Sequence, residues 1–139
     1  MRNLLLASAA LLASLTATGC IVESRPAYVA PAGGWVELGS RTVHGRRGVD
    51  RDVIAVGRRE GRFRVLQFVV ERSSLEMFDM IVYFGDGSVY SPPTQLVFRP
   101  GQASQVIDLP GGARIIRKVE FRYRNLPGGG NARVVLLGS

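Results

Sequence analysis

From Trp35 onward, short alternating or continuous apolar runs are separated by glycine, proline, asparagine and aspartate. No window keeps the helical spacing of apolar positions for long, so the pattern predicts strands. Between two of these runs, Asp86-Gly87 is a tight-turn signal. The predicted strands are Trp35 to Val43, Asp52 to Val56, Arg62 to Glu71, Phe78 to Phe84, Ser88 to Tyr90, Gln95 to Phe98, Gln105 to Leu109, Ile115 to Arg124 and Ala132 to Leu137.

The strand pattern occurs twice. When the chain is shifted by 53 residues, Arg41 to Gly85 falls on Thr94 to Gly138 without a gap, and eight of the 45 aligned positions are identical. One of these identities is Phe68 with Phe121, and predicted strands fall on predicted strands. We therefore predict an all-β fold, an antiparallel β-sandwich of about eight strands built from two four-stranded repeats related by pseudo-two-fold symmetry.

The period of two also separates inward from outward residues in the third strand of each repeat. On the opposite face, Val65, Gln67 and Val69 are mostly apolar, whereas the second repeat is charged at the matching positions. The first of these strands is thus expected to be covered on both faces and the second to face water on one. Arg64 and Arg117 continue the inward parity, which predicts buried, paired arginines. The predicted core residues are Leu66, Phe68, Val70, Val119, Phe121 and Tyr123.

An apolar run from Leu4 to Leu15 precedes the predicted domain. It follows the positive charge of Arg2 and leads into the small residues Thr16 to Gly19. This is the layout of a secretory signal, and the run is shorter than the roughly 20 apolar residues of a membrane span. The pattern predicts a signal peptide over residues 1–19, directly before Cys20, the single cysteine of the chain.

The small residues that run into Cys20 resemble the lipobox of bacterial lipoproteins, with Ala17 where leucine is usual. The resemblance implies cleavage before Cys20 and acylation of its sulfur, so that the protein is held at a membrane of the cell envelope by lipid. Two or more acyl chains anchor stably where one does not. Because Ile21 is not the aspartate that retains lipoproteins in the inner membrane, the resemblance implies the outer membrane, facing the periplasm, in a Gram-negative cell. An unlipidated secreted protein or an uncleaved signal anchor are the alternatives.

Residues 20–34 are predicted to form the lipidated N-terminus and a flexible tether. They contain Pro26, Pro31 and the pair Gly33-Gly34, and they show no sustained period. A flexible chain of this length separates its ends by roughly 20 Å. The β-sandwich domain, residues 35–139, is therefore expected to stay close to the membrane.

The chain is basic, with 18 Lys and Arg against 11 Asp and Glu, and Lys118 is its one lysine. Export makes nucleic-acid binding and cytosolic metabolism unexpected functions. On a tethered domain, arginines can contact anionic lipid or an acidic envelope polymer, and the alternative is a solvated face of weak ion pairs. The candidate anionic-surface residues are Arg46, Arg47, Arg58, Arg59, Arg62, Arg122 and Arg124.

Two further features bear on function. Trp35 and Tyr90 can stack on sugar rings, which makes a carbohydrate or small-ligand binding module the second hypothesis. The segments Trp35 to Gly39, Asp50 to Ile54 and Pro110 to Gly112 make the domain similar to small exported bacterial β-sandwich proteins of unknown function. This resemblance implies a fold and a compartment and carries no catalytic residues.

Candidate chemistry is sparse. His44 is the single histidine, so an ordinary zinc site or a Ser-His-Asp relay lacks partners. Asp50 and Asp52 can supply two calcium ligands of the six to eight needed, and are more typical of turn caps. Glu71, Glu76 and Asp79 follow no known glycosidase pattern. We expect a non-enzymatic envelope protein without metal or cofactor.

Overall fold

The computed structural model describes residues 33–44 and 48–139. Apart from one turn of 3-10 helix at Arg58–Glu60, the regular elements of these residues are strands. Among them, no helix is long and apolar enough to cross a membrane. The strands are β1 (Val36–Val43), β2 (Asp50–Ala55), β3 (Val65–Glu71), β4 (Leu75–Phe84), β5 (Val89–Tyr90), β6 (Leu96–Phe98), β7 (Gln102–Ala103), β8 (Ile107–Asp108), β9 (Ile116–Asn125) and β10 (Ala132–Gly138).

The strands form two antiparallel sheets of five. Sheet A has the order β1-β10-β3-β7, with β8 also pairing with β3. Sheet B has the order β2-β9-β4-β5, with β6 also pairing with β4. The predicted all-β antiparallel sandwich is confirmed, with ten strands in place of about eight. The increase arises after Pro92-Pro93, where proline and glycine breaks divide the chain into the short strands β6, β7 and β8, which pair separately with β4 or β3.

The strand pairing follows the internal repeat. By the 53-residue shift, β2 is equivalent to β7 and β8, and β3 is equivalent to β9. β2 pairs with β9, and β7 and β8 pair with β3, so the two contacts are equivalent and each joins one repeat to the other. The register agrees at β8, where Ile54 lies opposite Val119 and its equivalent Ile107 lies opposite Leu66, and it is displaced by one residue at β7. The pairs β3–β10 and β9–β4 join equivalent strands in the same way, with registers that differ by about three residues. The two repeats therefore exchange strands, and each sheet contains strands of both.

The core lies between the two sheets. All six predicted core residues are buried, with exposures of 2% or less. Near its centre, the rings of Phe68 and Phe121, which occupy equivalent repeat positions, meet edge to face with centroids 5.8 Å apart. Phe121 also contacts Tyr123 at 5.6 Å. The main core is thus built around side chains from the two equivalent strands β3 and β9.

The outer faces of the two sheets differ as the sequence predicts. On sheet A, Val69 is buried together with Val135 and Leu137, and Trp35 packs against this group. On sheet B, the corresponding face of β9 is charged, and Arg122 and Arg124 are exposed. Trp35 therefore serves as part of the cover of sheet A.

The prediction of buried arginines at Arg64 and Arg117 is wrong, because both side chains are exposed. Arg64 precedes the first residue of β3, and the neighbouring Phe63 fills the interior instead. At the equivalent position in β9, Ile116 is buried because a register shift at the end of β4 changes the parity of the pairing. A parity rule holds only while the ladder is regular, and here it breaks at the same place in both repeats.

The repeated glycines Gly85 and Gly138 have a packing reason. A Cβ on Gly138 would lie 2.8 Å from Leu38 Cδ1 and 2.8 Å from Phe63 Cδ1. A Cβ on Gly85 would lie 3.0 Å from Ile115 Cγ2. In both repeats a bulky apolar side chain packs directly on the glycine backbone, which closes the same end of the sandwich.

Candidate functional site

At one end of the sandwich lie the first residues of β1, β3 and β9 and the last residues of β2, β4 and β10. In sheet A, Val36 and Leu66 both lie opposite Gly138. In sheet B, Phe84 lies opposite Ile116. The loops of this end also connect the sheets, since the Phe63 N–H donates to the carbonyl of Arg114 at 2.9 Å. The chain before β1 therefore joins the domain at this end.

Six arginines lie at this end, which we call the basic end. Three acidic side chains accompany them, Glu60, Asp86 and Asp108. Of the arginines, Arg114 alone forms an ion pair within the described residues, with Asp86. The other five are exposed and make no ion pair within the part of the chain that the structure describes. The basic end consists of Arg58, Arg59, Arg62, Arg64, Arg114 and Arg117.

Arg114 is held in place by four groups. Its guanidinium carbon lies 3.7 Å from the centre of the Phe84 ring. Nη2 donates to Asp86 Oδ2 at 2.7 Å and to Ser88 Oγ at 2.5 Å, and Nη1 donates to the Pro110 carbonyl at 3.2 Å. Hydrogen bonds from the Ser88 hydroxyl and N–H, assisted by Arg114, hold the pKa of Asp86 below its usual value. Asp86 therefore stays ionised at neutral pH and keeps Arg114 oriented.

Beside Arg114, the basic end contains a cleft of about 330 Å³. The 3-10 turn contributes Arg58, and Arg62 follows it with Nη1 3.5 Å from the Ala113 carbonyl. The remaining walls come from the β4–β5 turn and the segment before β9. The cleft is lined by Arg58, Arg62, Phe84, Gly85, Asp86, Arg114 and Ile115.

The other candidate arginines are placed elsewhere. Arg122 and Arg124 lie on the outer face of sheet B, paired with Asp79 and Glu76 of β4. The Arg122 hydrogen bond is the main cause that lowers the pKa of Asp79, and the same contact raises the pKa of Arg122. These two arginines thus match the weak ion-pair alternative rather than the basic end. Arg46 and Arg47, like Cys20, lie outside the described residues.

Trp35 and Tyr90 do not form one surface. Trp35 packs against the outer-face group of sheet A, whereas Tyr90 of β5 belongs to sheet B and packs against the main core. Neither residue lines the cleft of the basic end. The structure therefore brings no sugar-stacking pair together from these two rings.

The carboxylates considered for chemistry have structural partners. Glu71 and Glu37 both pair with Arg133. Asp50 accepts a hydrogen bond from the Arg51 N–H, and Asp52 accepts one from the Tyr123 hydroxyl. His44 is exposed directly after β1. In residues 33–44 and 48–139, no group of three or more His, Cys, Asp or Glu is placed to hold a metal ion.

A second cleft, of about 420 Å³, lies at the opposite end. It is formed by Arg72–Ser74, between β3 and β4, and by the loop of residues 126–130 between β9 and β10, which are equivalent connections of the two repeats. Arg72 and Arg99, which lie at this end, make no ion pair with any residue that the structure describes. They provide matched controls for the basic end.

Comparison with known proteins gives a family. No curated protein matches the sequence. Among solved structures, a mutant of the family 29 carbohydrate binding module CBM29-2 is similar with a TM-score of 0.35 and 12% identity, over 77% of this chain and 92% of that chain. The family model described as Domain of unknown function (DUF2541) matches residues 6–138. Since that match spans nearly the whole sequence, the chain belongs to the DUF2541 family.

Proposed function

We propose that this protein is a non-enzymatic lipoprotein of the cell envelope, anchored through Cys20, whose basic end contacts anionic lipid or an acidic envelope polymer. The observation that carries the proposal is the end of the sandwich at which β1 begins. The chain that leads from Cys20 enters the sandwich at Trp35, at the end where five arginines lack an acidic partner among the described residues. An anchor at Cys20 would therefore connect to the domain at the end that carries the unpaired charge.

The predicted tether would hold the basic end close to the membrane surface. Cys20 and Trp35 are 15 residues apart, and the predicted tether, with a mean end-to-end distance of roughly 20 Å, would let the start of β1 approach the lipid surface. Basic residues act on an anionic surface only within about a Debye length, near 10 Å in 0.1 M salt. Lipid anchoring raises the local concentration of the surface enough for contacts that would be weak in free solution.

The family match includes most of the N-terminal apolar segment as well as the sandwich. It begins at residue 6, within the apolar run that we interpret as a lipoprotein signal, and continues through the whole sandwich. The run and the domain therefore belong to one family pattern. By the lipobox resemblance, Ile21 after Cys20 favours the outer membrane, facing the periplasm, in a Gram-negative cell.

Vesicle binding tests the role of the basic end. The chain to use is the non-lipidated Cys20→Ala form of residues 20–139, with vesicles rich in phosphatidylglycerol at low salt. Each basic residue near such a surface contributes about 1 kcal/mol, so the Arg59→Ala/Arg117→Ala double variant is expected to bind about 30-fold more weakly. Both side chains are exposed and neither lines the cleft.

The control removes the same number of charges from the other end. The Arg72→Ala/Arg99→Ala variant is expected to lose less than about threefold, because these residues would face away from the bilayer. Equal losses in the two double variants would mean that net charge alone drives binding. Absence of binding by the parent chain at low salt would remove the anionic-surface role.

The alternative function is a carbohydrate or small-ligand module. Trp35 packs on sheet A and Tyr90 belongs to sheet B, so the two rings cannot stack together on one sugar, and they do not support a carbohydrate-binding function. The observation that favours small-ligand binding is the cleft of the basic end, where unpaired guanidinium groups line a concave site.

A further inference from the structure

The cleft of the basic end differs from a merely positive surface in its geometry. One of its three guanidinium groups, that of Arg114, is fixed by the Phe84 ring and by hydrogen bonds to Asp86 and Ser88. The other two, from Arg58 and Arg62, have no carboxylate partner in the described part of the chain. Three positive groups and one negative group thus surround a single concavity.

The charge balance indicates the kind of ligand. Asp86 offsets one guanidinium, so the cleft has two positive charges in excess. A phosphomonoester carries about 1.5 to 2 negative charges at neutral pH and three strong acceptor oxygens. Guanidinium groups bind such oxygens in pairs, with two parallel hydrogen bonds each. A phosphodiester, with one negative charge and both ends substituted, matches the site less well.

The remaining lining fits a small group attached to the phosphate. Phe84 and Ile115 give the cleft an apolar wall beside the arginines. A volume of about 330 Å³ lies at the lower end of the range of small-molecule sites. A terminal phosphate with a short carbon body fits this space, whereas a polymer segment would have to extend beyond it.

We propose that the cleft between the 3-10 turn, the β4–β5 turn and the segment before β9 is a binding site for a terminal phosphomonoester, held by Arg58 and Arg62 against the fixed Arg114. This inference deepens the proposed function and rests on it only for the location of the site near a membrane. The phosphate can belong to a lipid headgroup or to a soluble metabolite. The recognised chemistry is the same, and experiment separates the two sources.

Solution binding of glycerol 1-phosphate tests the site. The ¹⁵N-labelled non-lipidated Cys20→Ala chain is titrated at pH 7.5 and followed by amide and arginine Nε NMR signals. Saturable shifts are expected at Arg58, Arg62 and Asp86. The Arg58→Ala/Arg62→Ala variant is expected to bind at least about tenfold more weakly, since it removes both guanidinium groups of the cleft that lack a carboxylate partner.

Arg59→Ala is the matched control. Arg59 belongs to the same 3-10 turn and is exposed, yet it does not line the cleft. Its loss should change binding of glycerol 1-phosphate by less than about twofold, as expected for a screened charge that does not contact the ligand. Equal weakening by Arg59→Ala and by the double variant would overturn the site, and so would the absence of saturable shifts in the parent chain.

Vesicles separate the two phosphate sources and the two proposals. At equal vesicle charge, stronger binding to phosphatidic acid than to phosphatidylglycerol, abolished by Arg58→Ala/Arg62→Ala, supports a lipid phosphomonoester. Equal binding to both vesicles, together with saturable glycerol 1-phosphate binding, supports a soluble one. If glycerol 1-phosphate fails to bind and the vesicles still do, the cleft proposal is wrong and the surface role stands.

Discussion

The Cys20→Ala protein, exported with a signal peptide whose cleavage does not require a lipidated cysteine, is expected to leave the membrane. In its native host, the parent protein should be recovered with the membranes after a high-salt wash, and the variant should be recovered in the soluble envelope fraction. The reason is the size of the lipid contribution, about 0.8 kcal/mol for each buried methylene. Summed over the methylenes of two or more acyl chains, this contribution exceeds what five unpaired arginines supply at about 1 kcal/mol each near an anionic surface, and salt weakens the arginine contribution.

The control for this experiment is Arg59→Ala/Arg117→Ala with Cys20 intact. It should remain with the membranes after the wash, because lipid anchoring does not need the basic end. If the Cys20→Ala protein stays in the washed membranes, the anchor is an uncleaved apolar segment or a protein partner. Lipidation of Cys20 would then be wrong, although the basic end would keep its own test.

Phe121→Ala is expected to be the most destabilising single substitution in the sandwich core. Phe121 is fully buried and contacts both Phe68 and Tyr123. Truncation of a buried phenylalanine lowers the free energy of unfolding by about 3–5 kcal/mol. For a domain of this size, that lowers the melting temperature by more than about 12 °C. Chemical and thermal unfolding followed by circular dichroism measure both quantities.

The contact with Phe68 allows a sharper test. Phe68→Ala should lower stability by a similar amount, since the two rings are equivalent in the repeat, and the double variant should lose less than the sum. The control Val89→Ala, at a side chain that is 60% exposed, should change stability by less than about 0.5 kcal/mol. Additive losses from the two phenylalanines would contradict the direct ring contact.

Much of the fold could be predicted because its signals are local or repeated. Period-two alternation identified the inward side chains of β3 and β9, such as Phe68 and Phe121. The 53-residue shift predicted that the halves are related, and the registers of Ile54 and Ile107 agree with it. The exchange of strands between the sheets could not be predicted from the sequence, because pairing between distant segments does not affect local composition.

The errors arose where the strand ladder is irregular. Parity predicts that Arg64 and Arg117 lie inside. In the structure both are exposed, because Phe63 and Ile116 take the interior positions. The short β7 was not predicted, because Gln102–Ala103 has no apolar pattern and pairs with β3 through its backbone. Both failures concern geometry that partner strands determine.

The candidate site was predictable only in part. Composition and clustering pointed to Arg58, Arg59 and Arg62, which the structure places together at the basic end. Arg114 also lies in a concentration of basic residues, but its role could not be predicted, because it depends on the fold that places Phe84 and Asp86 beside it. Charge alone suggests the same surface role for Arg122 and Arg124 as for these arginines. In the structure both form ion pairs with carboxylates of the neighbouring strand β4, which the sequence does not reveal.

The most direct test of the central claim is the orientation of the lipidated protein on an anionic bilayer. Paramagnetic relaxation of its ¹⁵N-labelled backbone amides, in nanodiscs that contain a gadolinium-chelating lipid, reports which end lies nearest the membrane. We expect the strongest broadening at Arg58–Arg64 and Arg114–Arg117, and weak broadening at Arg72 and Arg99. Equal or stronger broadening at Arg72 and Arg99 would contradict a membrane-facing basic end.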